Sequence, residues 1–123
     1  MINSYKDLIV WQKSVLLSVK IYEITENFPR EEIFGLTSQM RRSSVSIASN
    51  IAEGRGRGTR KDFSQFLRIA FGSCSELQTQ IEIAKQLPKT KKFNYFEVEN
   101  LLMEISKMLN SIITKLQVTK PNS

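Results

Sequence analysis

Four cations fall within one seven-residue stretch, Arg55-Gly56-Arg57-Gly58-Thr59-Arg60-Lys61, and these are the residues whose types and spacing best suit chemistry with a partner. Guanidinium groups grip phosphate oxygens as a bidentate fork, and a helix starting after Thr59 would add the positive end of its dipole. The alternating glycines do not make a nucleotide-binding loop, because the stretch follows a helical pattern instead of a strand and lacks a Gly-Lys-Ser or Gly-Lys-Thr ending. No aromatic residue interleaves it, so base stacking gains no support, and contact with RNA or DNA through Arg55, Arg57, Arg60 and Lys61 would carry little sequence preference. A solvated turn fits the same residues, and the sequence leaves both readings open.

Other chemistry is scarce. The chain has no histidine, which removes Ser-His and Cys-His pairs, a histidine general base and histidine-ligated metals. Glu23 and Glu26, and Glu97, Asn100 and Glu104, sit at helical spacing, but di-metal carboxylate bundles add Glu-x-x-His pairs that this sequence cannot supply. They read better as solvated helix faces. Cys74 is the single cysteine and fits a small core position better than a reactive thiol. Arg41 and Arg42 are adjacent, so they point in different directions, and an ion pair with Glu53 or Glu76 is the simplest role for one of them. These residues predict no catalytic site, no metal and no cofactor.

Length and composition set the frame for those residues. A chain of 123 residues with 41% hydrophobic content, five glycines and three prolines suits one core and long helices. One domain over residues 1–118 and a frayed tail over 119–123 are expected. The N-terminus lacks the pattern of a signal peptide, no stretch is long and apolar enough to cross a membrane, and the lone cysteine asks for no oxidising compartment, so a cytoplasmic setting is expected. The net charge of +6 biases the chain toward polyanions, through release of counterions from phosphates.

The elements that must position the cations are four helices in an antiparallel up-down-up-down bundle, an all-α fold. The first is expected from Asp7, as N-cap, to Asn27 before Phe28-Pro29. It carries two apolar stripes on nearly opposite faces: Leu8, Trp11, Val15, Val19 and Tyr22 on one, and Val10, Leu17, Ile21, Ile24 and Phe28 on the other. One core needs only one stripe, so Leu17, Ile21, Ile24 and Phe28 are read as an interface with another copy, unless neighbouring helices bury both. The second helix, from Phe34 to about Glu53 with Gly54 as cap, has Leu36, Met40, Ile47 and Ile51 on its core face and a run of small residues through its middle. The third starts at the Thr59 cap and runs to about Leu87, with a seam of Phe63, Leu67, Ala70, Cys74, Leu77, Ile81 and Ala84; Ile69 and Ile83 lie off it. The fourth, Asn94 to Val118, presents Val98, Leu102, Ile105, Leu109, Ile112 and Leu116. Short connections place the arginine turn at the end holding the termini and Pro88–Lys92 at the other.

The stretch Phe34-Gly35-Leu36-Thr37-Ser38-Gln39-Met40-Arg41-Arg42, continuing through Ser43-Ser44-Val45-Ser46-Ile47-Ala48-Ser49-Asn50-Ile51-Ala52-Glu53-Gly54, resembles the signature of the bacterial 23S rRNA intervening-sequence protein family. Tyr5-Lys6-Asp7-Leu8, Trp11, Phe63, Phe66-Leu67, Ala70, Gly72-Ser73 and Glu76-Leu77 add to the likeness. Ala48 stands where the family often has proline, and Ser43 and Ser44 where alanines are common. The resemblance implies a homo-oligomeric four-helix bundle, a pentameric ring, of uncharacterised role. Similar accessory proteins of diversity-generating retroelements associate with a reverse transcriptase and with nucleic acid. Two functions follow as expectations: a non-enzymatic oligomer that binds RNA or DNA, or a module that docks a partner enzyme without touching nucleic acid.

Overall fold

Helix formation in this chain is set by where its caps and breakers fall. The computed structural model describes residues 4–118, and the expected tail of 119–123 lies outside them. Ser4 Oγ accepts from Lys6 N at 3.0 Å and opens a short 3-10 turn over Tyr5–Asp7. The first long helix, α1, is Ile9–Thr25. Leu8, in extended backbone, occupies the cap position expected for Asp7, which the preceding turn absorbs. Pro29 blocks continuation beyond Phe28.

A 3-10 turn, Arg30–Glu32, and a wide π turn, Ile33–Thr37, then lead into α2, Ser38–Arg57. The helix therefore begins four residues after Phe34 and ends four residues after Glu53. Gly54 does not cap it. The end falls at Gly58, whose φ of 84° is the left-handed geometry that glycine adopts without a Cβ clash. The expected arginine turn is thus mostly helix: Arg55, Gly56 and Arg57 complete α2, Gly58 and Thr59 alone connect, and Arg60 opens α3, Arg60–Gln86. Thr59 caps α3 as expected, accepting from Asp62 N at 3.1 Å. The last helix, α4, is Phe96–Val118, and Asn94 Oδ1 accepts from Phe96 N at 2.9 Å at its start.

Ion pairs fix the directions of the helices. Lys13 meets Glu104 at 3.1 Å and Lys20 meets Glu97 at 3.5 Å, so α1 and α4 are antiparallel. Arg41 at the start of α2 meets the end of α1, and Lys85 near the end of α3 meets Glu99 near the start of α4 at 2.8 Å. The topology is up-down-up-down. One core runs through the bundle, built from Val10, Leu17 and Ile21 of α1, Met40, Ile47 and Ile51 of α2, the seam of α3, and Val98, Leu102, Ile105 and Leu109 of α4.

The closest pairing is α2 with α3, where the small residues lie. Ser46 Oγ and Ser73 Oγ are 2.9 Å apart, Ser43 Oγ donates to Glu76 Oε1 at 3.4 Å, and a Cβ added to Gly54 would lie 2.6 Å from Phe66 Cβ. Gly54 is a contact glycine that lets two backbones approach, which is why the helix passes through it. At the far end, the 87–95 loop is pinned: Thr90 Oγ1 donates to Ala84 O, Tyr95 Oη donates to Thr90 O, each at 2.7 Å, and Phe93 stacks on Phe28 with centroids 5.4 Å apart.

Candidate functional site

The expected assignment of the two α1 stripes is reversed. Leu17 and Ile21 are fully buried within the protomer, Phe28 is buried, and Ile24 is half-buried against the core, so none of the four is an exposed interface row. They face inward because α2 and α4 both pack on that side of α1, through Arg41 on one flank and the Lys13 and Lys20 pairs on the other. The outward stripe is the other one: Val15, Val19 and Tyr22 are 37%, 48% and 44% exposed. With Val45 and Ala48 of α2 they line an open groove of about 670 Å³ whose far rim carries Glu23 and Glu26. Sequence periodicity reveals both stripes but does not distinguish the one that neighbours cover.

The cations also resolve into distinct roles. Arg41 is structural: its Nε donates to Thr25 Oγ1 at 2.9 Å, its Nη2 donates to Tyr22 O at 3.3 Å and lies 3.8 Å from Glu26, and the guanidinium sits 4.4 Å over the Tyr22 ring. These partners replace the expected Glu53 or Glu76. Glu53 instead holds Arg57 at 3.0 Å, one helical turn along α2, and Arg57 also lies 5.0 Å over Phe66. Glu23, Glu97 and Glu104 are all within reach of Lys20 or Lys13, so the carboxylates at helical spacing act as an ion-pair belt. Among the described residues no three His, Cys, Asp or Glu side chains converge as metal ligands.

Arg55, Arg57, Arg60 and Lys61 share one end of the bundle because α2 and α3 meet there through a two-residue connection. Arg55 is half-buried, and the other three are exposed. The antiparallel pairing brings Lys6 from before α1 and Lys115 from late α4 to the same end, with Arg68 two turns up α3. Those seven cations face three carboxylates, Asp7, Glu53 and Asp62, so most of the net +6 resides at this end. Arg60 and Lys61 also lie in the first turn of α3, where the helix dipole is positive and cations are disfavoured unless an anion is near. At the opposite end Lys89 binds Glu31 and Lys85 binds Glu99, and Lys91 and Lys92 are exposed in the loop that follows α3. The Lys89 ammonium holds the Glu31 carboxyl below its ordinary value.

Cys74 is buried in the α3 seam, and that burial pushes its thiol up to about 11 against a hydrogen bond with Ser106 that opposes the shift. A thiol held neutral at ordinary pH is a packing group, not a nucleophile.

Fold and surface together define an all-α bundle with a cationic end and an apolar groove. The chain belongs to the family of 23S rRNA-intervening sequence proteins, whose model matches residues 6–111. Among solved structures it is similar to a protein of unknown function from the S23 ribosomal protein family of Bacteroides thetaiotaomicron, at 30% identity and a TM-score of 0.74, over 85% of this chain and 98% of that one. No curated protein matches the chain. Neither the family nor this solved relative carries an assigned activity, and no described helix is long and apolar enough to cross a membrane.

Proposed function

We propose that the protein is a non-enzymatic, self-associating bundle that binds RNA or DNA phosphates through its cationic end. The observation that carries this reading is the local excess of charge: Arg55, Arg57, Arg60 and Lys61 share one end with Lys6, Arg68 and Lys115, seven cations against the three carboxylates Asp7, Glu53 and Asp62. Phosphates would relieve the crowding of Arg60 and Lys61 at a helix N-terminus, and self-association would repeat the surface so that weak contacts add. The solved relative's place in a ribosomal protein family is consistent with a polyanionic partner.

The test compares two triple variants by fluorescence anisotropy with labelled RNA and DNA duplexes. Arg57→Gln/Arg60→Gln/Lys61→Gln removes three cations from the basic end, and Lys89→Gln/Lys91→Gln/Lys92→Gln removes three from the other. If about four phosphates are contacted, raising salt from about 50 to about 200 mM weakens wild-type binding about 100-fold. The first variant then loses affinity at low salt and about three units of salt slope, while the second retains both. Equal losses in the two variants, or no salt-sensitive binding by the wild type, would refute the assignment.

A further inference from the structure

Phe34 is 95% exposed, the extreme among the large apolar side chains of the described residues. It projects from a turn held in place by Glu32, whose Oε1 accepts from Leu36 N at 3.0 Å, and Gly35 leaves room for that latch, since a Cβ there would lie 2.8 Å from the same oxygen. An exposed aromatic on a turn whose backbone is already held is the form that binding anchors take, because the segment itself need not be ordered on binding. Phe34 cannot reach the α1–α2 groove of its own chain. It borders a shallow depression with Arg42, Glu76 and Gln80 on the α2–α3 face, on the other side of α2 from the groove.

We infer that Phe34 of one copy seats between Val15, Val19, Tyr22, Val45 and Ala48 of the next, in a head-to-tail contact. This rests on the self-association proposed above and names its surfaces. Charge complements the apolar fit. Arg42 borders the depression beside Phe34, together with Glu76, while Glu23 and Glu26 line the groove. Those carboxylates reach their own chain's cations only at 3.8 Å, the outer limit of an ion pair. One polar atom in each patch, Ser18 Oγ in the groove and Gln80 Oε1 in the depression, is buried without a hydrogen-bond partner among the described residues. Such atoms are costly unless a further contact satisfies them. One phenylalanine buries only about 200 Å², so Ile33 and the valines flanking the groove must close with it to reach the size of a stable interface. Because knob and groove are different patches, each copy keeps one of each unused until a ring closes or a filament grows.

Light scattering after size-exclusion chromatography tests this with wild type, Phe34→Ala and Val19→Lys. Both substitutions are at exposed positions, and circular dichroism checks that each variant is folded. The expected result is a wild-type oligomer that either substitution weakens at least about 30-fold, the loss typical of an anchor residue. A Cys74→Ala background carrying Phe34→Cys with Val19→Cys should, on mild oxidation, give covalent ladders that neither cysteine gives alone. An oligomer unchanged by both substitutions, or dimers cross-linked by Phe34→Cys alone, overturns the knob-and-groove contact while self-association stands. A wild-type monomer at about 100 μM overturns both, since specific natural contacts hold well below that concentration.

Discussion

Gly54 and Gly56 are two residues apart in α2, yet the same substitution should have opposite effects at them. Ala at 56 meets nothing within 4 Å and removes the conformational cost of a helical glycine, so Gly56→Ala should stabilise by about 0.5–1 kcal/mol. Ala at 54 gains the same propensity but drives a methyl to within 2.6 Å of Phe66 Cβ and 3.4 Å of the Phe63 backbone, so α2 and α3 must part. A net loss of about 1–3 kcal/mol is expected in urea unfolding, and a stabilised Gly54→Ala would show that the helices are not in close contact. Sequence rules read Gly54 as a cap because glycine after a helical run usually is one. The two phenylalanines that make it a contact residue lie a helix away, beyond the range of any local signal.

Cys74 sets a second residue-scale expectation. Its thiol moves from an ordinary 9.0 to about 11 because burial disfavours the thiolate. A raised acid value means that the fold holds the neutral form while the unfolded chain ionises, so this contribution is whole below pH 9 and is lost as pH climbs through about 11. The shift corresponds to a few kcal/mol at most. Cys74→Ala should therefore show a shallower loss of stability between pH 9 and 11 than wild type. The residual slope belongs partly to Tyr95, which burial raises to about 12. Thiol reagents should label native Cys74 far more slowly at pH 8 than the urea-unfolded chain, and equal rates would contradict its burial.

At the scale of elements, helix order and the α3 seam are legible in the sequence because the seam residues recur at three- and four-residue spacing and Thr59 caps the helix locally. The facing of α1 is not, because both of its stripes have the same period and the positions of α2 and α4 alone choose between them. Arg41 is the side chain that records that choice. It joins the end of α1 to the start of α2 through the Thr25 hydroxyl, the Tyr22 carbonyl and the Tyr22 ring. Arg41→Ala should cost about 0.5–1.5 kcal/mol, the net value of the lost hydrogen bond, since the Thr25 hydroxyl keeps its bond to Ile21 O. Arg41→Lys should recover less than half of the loss, since an ammonium cannot reproduce the planar, stacked geometry. Full recovery by lysine in thermal unfolding would reduce Arg41 to a surface charge.

The whole molecule has two surfaces that no single element displays: a cationic end assembled from four parts of the chain, and an apolar groove between α1 and α2. The cationic end is legible in part, since Arg55 to Lys61 stand together in sequence. Lys6, Arg68 and Lys115 join them only through antiparallel packing. The groove is legible only as a stripe read as core, because its second wall comes from Ala48, which sequence places among small packing residues, and from Val45, to which it gives no role. Phe34 reads in sequence as the start of a helix, and only the π turn shows it as a projection. Sedimentation velocity of the intact chain, alone and with a short RNA duplex, tests the two surfaces together. The account predicts a species of several protomers without RNA, co-sedimentation at about 50 mM salt, and its loss by about 200 mM as counterions compete. A monomer whose sedimentation is unchanged by RNA at either salt would contradict it.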